Sequence, residues 1–243
     1  MISHSSTRPA YSYLSVAPQI IHDAPLLTVV LSPKSERVRA RIPRPLEPHP
    51  GGRLILNMWE LADPNQTTEF GAPGPVGVSY LAAEVAGPEG ATSDGALKFP
   101  GRVWLEHWIS SSAVRAYAHA ASGLEINPGE TALQIDDDWL TARLNLDGKT
   151  VIEARARVGR EKLALRSGHS VYYSERRASD GGRELTRFDV PWVAESFAAS
   201  DPEVIFDFKP GTGAADLVDN GAQTVVAVSF RVMTLVPYLA SCA

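Results

Sequence analysis

The stretch TVIEARARV, residues 150–158, shows most clearly what kind of fold this chain adopts. Positions 152, 154, 156 and 158 are apolar, whereas positions 153, 155 and 157 are charged. Successive side chains of a β-strand point to opposite faces, so this alternation predicts a half-buried antiparallel strand.

Similar runs, rich in β-branched and aromatic residues, recur along the chain between turn signals. They are PLLTVVLS (25–32), RLILNMWEL (53–61), PVGVSYLAAEVAG (75–87), GRVWLEHWI (101–109), TALQIDDDWLTARLNL (131–146), SVYYSERR (170–177), PEVIFDFK (202–209) and QTVVAVSFRVMTLV (223–236). The turn signal LDGK (146–149) follows one run, and ASDGG (178–182) predicts a hairpin between SVYYSERR and RELTRFDV. The sequence therefore predicts a mainly β chain of the α+β class.

Helical signals are few, and we expect two or three short helices. The segment SPKSERVRARI (32–42) offers Ser32 as N-cap and Pro33 as first helical residue. The segment SSSAVRAYAHAASG (110–123) offers serine caps at its start and Gly123 as its stop. Since no linker divides the chain, residues 1–243 are interpreted as one domain, with residues 1–20 as an extended N-terminal arm.

Composition restricts the class of function. Of the 243 residues, 44% are hydrophobic and the formal net charge is -5, which argues against nucleic acid as a partner. Cys242 is the only cysteine, and no segment has the length and apolarity of a signal peptide or a membrane span. We expect a cytoplasmic protein that does not bind membranes.

Local motifs for cofactors and metals are missing from the sequence. It contains no GxGxxG, GxxxxGK[ST], GxSxG or HExxH, and its six histidines are scattered without a CxxC. We therefore expect no cofactor and no metal. The acidic run 136–138 is compatible with oxygen ligation of a divalent cation, but a solvated turn is the simpler interpretation.

Several segments resemble the acetoacetate decarboxylase family in order and spacing. The short helix followed by RARIPRPLEP (39–48) is similar to the family's helix and V-P-x-P-L-E segment. The strand RLILNMWEL, the segment EFGAPGPVGVSY (69–80) and the AYAHAASG segment (116–123) follow in the family's order. This resemblance implies a strongly curved antiparallel sheet closed into a β-cone or double barrel, with a buried pocket for a small molecule, in a homo-oligomer.

The resemblance also implies a change of chemistry. Family decarboxylases carry a Schiff-base lysine in an A-Y-P-K-K-like turn, and in this sequence that lysine falls on His119 and its neighbour on Ala120. An imidazole cannot form the iminium that serves as electron sink, so this chain is not expected to be a lysine-dependent decarboxylase. A family arginine falls on Ala24, one family glutamate on Asn57, and another on Glu69.

These positions give the candidate catalytic residues His119, Glu69 and Tyr117. A histidine and a desolvated glutamate suit proton transfer, and a tyrosine hydroxyl can donate to a substrate. Each residue also has a plain alternative. His119 can bond a backbone carbonyl, Glu69 can be a solvated loop carboxylate, and Tyr117 can be a core aromatic.

Three tryptophans accompany Asn57 as candidate substrate-binding residues: Trp59, Trp104 and Trp108. Regular strand parity places Trp104 with Trp108 and puts His107 on the opposite face. Tryptophans usually serve core packing, but in a barrel they can also wall an apolar cavity that holds a flexible chain in a reactive shape.

The resulting functional hypothesis is a cofactor-independent cyclase or lyase of specialised metabolism. It would catalyse cyclisation, which can be pericyclic, or dehydration or aldol-type chemistry on an apolar β-dicarbonyl or polyketide-like substrate. The alternatives are a non-catalytic barrel that binds a small molecule and, in third place, a true β-keto acid decarboxylase.

Overall fold

The described part of the chain is built mostly of strands. The computed structural model describes residues 19–61, 75–177, 182–209, 212–218, 228–236 and 239–241. The strands in these ranges are β1 (Gln19–Leu31), β2 (Leu54–Leu61), β3 (Val76–Thr92), β4 (Lys98–Ile109), β5 (Asn127–Pro128), β6 (Glu130–Asp136), β7 (Trp139–Leu146), β8 (Lys149–Lys162), β9 (Arg166–Arg177), β10 (Arg183–Phe206), β11 (Val228–Val236) and β12 (Leu239–Ser241). The predicted mainly β class is confirmed.

Hairpins form where the sequence carries turn signals. The TVIEARARV stretch lies in β8, and its residues Ile152, Ala154 and Ala156 are fully buried, as the alternation predicts. The run 131–146 divides into β6 and β7 at the acidic turn, where Asp137 has a positive φ of 52°. Strands β9 and β10 pair from Arg177 and Arg183 onward, although the ASDGG turn itself lies mostly outside the described residues.

The described residues contain two helices, α1 (Ser35–Arg41) and α2 (Ser112–Ser122). The predicted start of α1 is wrong: its N-cap is Lys34 rather than Ser32. The physical reason is that Pro33 forms a β-bridge with Val218 and so belongs to extended chain. The predicted ends of α2 are confirmed, because the Ser111 side chain accepts a hydrogen bond from the backbone N–H of Val114 and Gly123 adopts the left-handed conformation.

A single sheet connects the strands of the described residues. Its order is β5-β4-β9-β3-β2-β1-β11-β10-β8-β7-β6, with β12 on β10 and further pairings of β3 with β4 and of β9 with β10. Two residue pairs, Ala91 with His169 and Thr92 with Gly168, join β3 to β9. Because the contact at this junction is so short, closure into a double barrel remains a prediction.

The sheet packs apolar side chains on both of its faces. The larger core includes Leu27, Leu56, Leu81 and Leu144, all fully buried, and draws on strands from β1 to β10. The smaller core centres on Ala82, Tyr172 and Phe188, with Tyr80 and Trp104 packed against it. Helix α2 lies on this second side, since Ala118 also contacts the smaller core. We call this side the inner face.

A β-bulge in β4 changes which side chains reach the inner face. Leu81 pairs with Glu106 and the next residue, Ala82, pairs with Trp104, so Leu105 is the extra residue of β4. The bulge is held by Arg41, whose Nη2 donates to the Leu105 carbonyl at 2.5 Å and whose Nη1 lies 2.6 Å from Glu106 Oε1.

The expected parity of the β4 aromatic residues is therefore wrong. Trp104 and His107 face the same side, with ring centroids 5.3 Å apart. Trp108 turns to the larger core and stacks on Phe208 at 6.0 Å. One inserted residue shifts the alternation of side chains for the rest of the strand.

Candidate functional site

A row of polar side chains crosses four neighbouring strands on the inner face. Thr28 of β1 lies opposite Asn57 of β2, Asn57 lies opposite Tyr80 of β3, and Tyr80 lies opposite His107 of β4. Residues directly opposite in antiparallel strands project to the same side. The pairing register thus brings together residues that are far apart in the sequence.

Hydrogen bonds link part of this row to two further residues. The Thr28 hydroxyl donates to Asn57 Oδ1, and Asn57 Nδ2 donates to the Tyr80 hydroxyl at 2.7 Å. The Tyr80 and Tyr172 oxygens are 3.0 Å apart, and Arg102 Nη1 donates to the Tyr172 oxygen at 3.2 Å. We call Thr28, Asn57, Tyr80, Tyr172 and Arg102 the phenol network.

The phenol network has one hydroxyl proton more than it has acceptors for. The bond between Tyr80 and Tyr172 uses the proton of one phenol. Asn57 and Arg102 only donate to these oxygens. Among the described residues, the proton of the other phenol has no acceptor, so the pair can donate one hydrogen bond to a ligand.

Aromatic rings surround the network. Trp104 stacks on Tyr172, with ring centroids 4.8 Å apart and ring planes inclined by 13°. Phe188 contacts Trp104 edge-on at 4.9 Å, and the Tyr80 ring lies 5.5 Å from the His107 ring. A hydrogen bond in such apolar surroundings is electrostatically stronger than the same bond in water.

Burial sets the ionisation of the inner-face groups. It is the largest cause that raises the pKa of Tyr80 well above its ordinary value; Tyr172 raises it further, while Arg102 and Asn57 oppose the shift. Burial also lowers the pKa of His107 to about 3. Burial opposes the charge of Arg102, but Tyr172, Tyr80 and the Glu84 carboxylate together raise its pKa overall. At neutral pH the site therefore holds the neutral phenol of Tyr80, a neutral imidazole and a guanidinium cation.

Two of the substrate-binding residues predicted from the sequence lie at this site. Asn57 is buried within the phenol network, and Trp104 stacks on it. Trp59 is partly buried beside Tyr80, in an apolar cluster with Val78. Trp108 is buried in the larger core on the other face of the sheet.

Of the three predicted catalytic residues, His119 is the one whose side chain lies within the described structure. His119 is exposed on α2, where its neighbour Ala118 packs against the smaller core. Glu69 and the side chain of Tyr117 lie outside the described residues. The catalytic roles of these three residues remain predictions.

Sequence reasoning missed Tyr80, Arg102 and Tyr172. Each is a polar or amphipathic residue inside a strand that otherwise reads as buried, as in GVSYLAAEV, GRVWLEHWI and SVYYSERR. Arg102 gave the clearest signal, because a charge within a buried strand needs a partner or a ligand. The pairings that join these residues have no local signature.

Comparison with solved structures identifies the fold. A structure described as structural studies of acetoacetate decarboxylase matches with a TM-score of 0.72 and 15% identity, covering 100% of this chain and 98% of that chain. Acetoacetate decarboxylase from Legionella pneumophila matches with a TM-score of 0.71 and 12% identity, covering 93% and 88%. No family model and no curated protein matches the sequence. The chain therefore has the acetoacetate decarboxylase-like fold that the resemblance implied.

A third similar structure comes from a biosynthetic enzyme. MppR, described as an enduracididine biosynthesis enzyme and complexed with pyruvate, matches with a TM-score of 0.62 and 13% identity, covering 93% of this chain and 91% of that chain. MppR is also described in complex with the condensation product of pyruvate and imidazole 4-carboxaldehyde. The fold is thus found in proteins named for different chemistries.

Within the described part of the chain, no three His, Cys, Asp or Glu residues are grouped as a metal site. No helix there is long and apolar enough to cross a membrane.

Proposed function

We propose that this chain is a cofactor-independent enzyme that activates a substrate carbonyl by hydrogen bonding and forms no lysine Schiff base. Its reaction is a cyclisation, pericyclic or aldol-type with loss of water, of a β-dicarbonyl or polyketide-like substrate. The observation that carries this proposal is the Tyr80–Tyr172 pair, with one phenol proton left to donate.

The phenol network supplies the electrostatic part of the reaction. When a carbonyl carbon is attacked, its oxygen gains negative charge, and a donor already aimed at that oxygen stabilises the charge. Arg102 donates to Tyr172 and polarises the phenol pair, which strengthens the bond that the free phenol proton makes. Asn57 holds Tyr80 from the other end of the network.

The rings of Trp104, Phe188 and Tyr172 supply the positioning part. They form an apolar surface against which a flexible chain can fold with its reacting atoms close together. Holding two groups of one molecule in a reactive geometry can by itself contribute roughly 7–11 kcal/mol to the barrier reduction. A catalyst of this type needs no nucleophile.

The positions of the lysines support chemistry without a Schiff base. The chain has five lysines, and all of them lie in the described ranges and are exposed: Lys34, Lys98, Lys149, Lys162 and Lys209. A lysine that forms a Schiff base needs a depressed pKa, which apolar burial or a close cationic neighbour provides. The inner face offers phenols and a guanidinium instead.

The neutral state of His107 favours ring closure over proton abstraction. A group with a pKa of about 3 is a weak base at neutral pH, but its imidazole can still donate a hydrogen bond. The buried carboxylate on this face, Glu84, already pairs with Arg53 at 2.9 Å. The site is therefore richer in hydrogen-bond donors than in bases, and acid-base catalysis by His119 and Glu69 is the separate hypothesis.

A simple dicarbonyl tests the proposal. In 2,6-heptanedione one terminal methyl carbon attacks the distant carbonyl, and loss of water gives 3-methylcyclohex-2-enone, whose absorbance is followed. We expect Tyr172→Phe and Tyr80→Phe each to lower kcat/KM by about a hundredfold. Tyr173→Phe is the matched control, because this neighbouring phenol belongs to the larger core.

The outcomes separate the candidate functions. Unchanged turnover in the Tyr80→Phe, Tyr172→Phe double variant would contradict the proposal. Loss of turnover in His119→Ala with retention in both tyrosine variants would favour acid-base catalysis. Binding of dicarbonyls without turnover would favour a ligand-binding protein.

A further inference from the structure

Two buried ring nitrogens of β4 have no hydrogen-bond partner within the described ranges. They are Trp104 Nε1 and His107 Nδ1, and both belong to side chains of the inner face. The other buried atoms of this kind are Arg102 Nε and Thr186 Oγ1. Nearly all buried polar atoms in folded proteins are hydrogen-bonded, so two such nitrogens on contacting rings indicate a place where a ligand binds.

The two nitrogens differ in what they require from a ligand. The indole nitrogen of Trp104 only donates, so it requires an acceptor. His107 is neutral because burial lowers its pKa to about 3, and the Nδ1 atom of a neutral imidazole donates or accepts according to the tautomer. One oxygen that binds both rings must therefore accept from Trp104 and either accept from or donate to His107. A carbonyl oxygen meets the first case, and the hydroxyl of its enol meets the second.

The charges of the inner face do not require an anionic ligand. Arg102 is a buried cation of this face, and the Glu84 carboxylate, directly opposite in the β3–β4 register, attracts it. The Arg102 guanidinium also donates to the Tyr172 oxygen at 3.2 Å. Trp104 and His107 are uncharged, so a carboxylate at their rings would lose its water without gaining a counter-charge. A neutral oxygen ligand therefore fits these two rings better than a carboxylate does.

Ring contacts place the Trp104 and His107 rings beside the phenol network. Trp104 stacks on Tyr172 with ring centres 4.8 Å apart, and the Tyr80 ring lies 5.5 Å from the His107 ring. Trp104 is only partly buried, so a ligand can reach the inner face along its indole ring. In a β-dicarbonyl a single carbon separates the two carbonyl groups. When the phenol pair binds one carbonyl oxygen, the other therefore lies within reach of the Trp104 and His107 rings, whose centres are 5.3 Å apart.

We infer that Trp104 and His107 bind the second carbonyl oxygen of a β-dicarbonyl substrate, in its keto or its enol form. This inference rests on the proposed function, in which the phenol pair binds the first carbonyl oxygen, and it narrows the substrate class. Both oxygens belong to neutral groups such as ketones, esters or amides. A β-keto acid, which has a carboxylate in the second position, is disfavoured.

Three small ketones that differ in the second group test this site without turnover. Heptane-3,5-dione has two carbonyl oxygens, heptan-3-one has the same carbon chain with one, and 3-oxopentanoate has a carboxylate in place of one ethyl ketone. Calorimetry at neutral pH is expected to show that heptane-3,5-dione binds at least about tenfold more tightly than either, because it satisfies buried polar atoms that the others leave unpaired. The indole N–H resonance of Trp104 is expected to shift with heptane-3,5-dione and not with heptan-3-one.

Two variants and a control locate the site. Trp104→Phe removes the indole N–H but retains an aromatic ring, and it is expected to abolish the preference for heptane-3,5-dione over heptan-3-one. His107→Phe is expected to weaken the same preference. Trp139→Phe is the matched control, because this tryptophan lies on β7 against the Arg155 guanidinium, 4.9 Å from its ring centre, and it should retain the preference. If a variant at the site does not fold, the affinities of the unaltered protein for the three ketones still decide.

Several results would overturn the inference. These are equal affinities for heptane-3,5-dione and heptan-3-one, tighter binding of 3-oxopentanoate, no detectable binding of the dione, or a preference that survives in both Trp104→Phe and His107→Phe. Preference for the dione without turnover of 2,6-heptanedione would uphold this site and contradict the proposed enzyme. Turnover with equal affinities for the dione and heptan-3-one would uphold the enzyme and contradict this site.

Discussion

The hydroxyl oxygens of Tyr80 and Tyr172 lie 3.0 Å apart although the residues are separated by 92 positions in the chain. Asn57 donates to the first oxygen and Arg102 to the second, so the pair is fixed from both ends. This relationship joins strands β3 and β9 on the inner face and leaves a phenol proton available to a ligand.

Trapping with borohydride in the presence of acetoacetate is expected to give no lysine adduct and no release of carbon dioxide. The physical reason is that each of the five lysines is exposed to water, so none lies in the apolar surroundings that activate a Schiff-base lysine. Mass spectrometry of the intact and digested protein checks this, with an acetoacetate decarboxylase as positive control. An adduct on any lysine would show that the site uses an amine after all.

Stability is expected to fall as the pH drops from about 6.5 toward 3 because His107 is buried in its neutral form. Its folded pKa of about 3 lies below the ordinary value of 6.5, so between these values the unfolded chain binds the extra proton. The His107 contribution is fully present above about pH 6.5 and decreases below it. At pH 5 the loss is about 2 kcal/mol.

Urea unfolding over this pH range measures the effect. His107→Phe is expected to remove this part of the slope, whereas a change at exposed His119 serves as control. Parallel pH profiles of the unaltered protein and His107→Phe would refute the assignment.

Arg41→Ala is expected to lower the free energy of unfolding by about 1 kcal/mol and to disturb the inner face. Arg41 is partly exposed, so its ion pair with Glu106 contributes little, but its bond to the Leu105 carbonyl holds the β4 bulge. The near-ultraviolet signal of the tryptophans and the Trp104 indole resonance report the change. Arg39→Ala, at an exposed position of the same helix, should leave both unaltered.

Gly77→Ala is expected to destabilise the protein by about 3 kcal/mol, since it overpacks a crossing of two strands. A Cβ at this position would lie 2.1 Å from the Thr131 carbonyl oxygen of β6 and 2.7 Å from the Thr131 nitrogen, and neither backbone atom can move freely. Gly159→Ala is the matched control, because its nearest contact, the Ala198 carbonyl oxygen, is 3.2 Å away. Thermal unfolding of both variants distinguishes a steric clash at residue 77 from a general effect of replacing glycine. Equal stabilities of the two variants would contradict the predicted clash.

The sequence predicted local structure well where the signal was local. Alternation in TVIEARARV gives the buried and exposed sides of β8, and Ser111 with Gly123 gives both ends of α2. The start of α1 was predicted two residues too early, because Pro33 pairs with Val218, which is distant in sequence. Errors arose where a long-range pairing overrides a local preference.

The residues of the candidate site were likewise predicted from local signals in part, and missed where their contacts are long-range. Asn57 and Trp104 were found from the sequence, but Tyr80, Arg102 and Tyr172 were not. The single extra residue at Leu105 reverses the parity expected along β4, and no residue in GRVWLEHWI marks it. The resemblance to the decarboxylase turn predicts a catalytic role for His119, whose side chain is exposed on α2.

The sequence by itself determined the mainly β class, the hairpins, the resemblance to one fold and the absence of a lysine at the family's Schiff-base position. These properties depend on residue types and on spacings within a few positions. Only the tertiary structure decided that two tyrosines meet, that Trp104 and His107 share a face, and that the Arg102 guanidinium donates to one of these tyrosines. Those relationships depend on strand register and on a bulge, which are set by packing over the whole sheet.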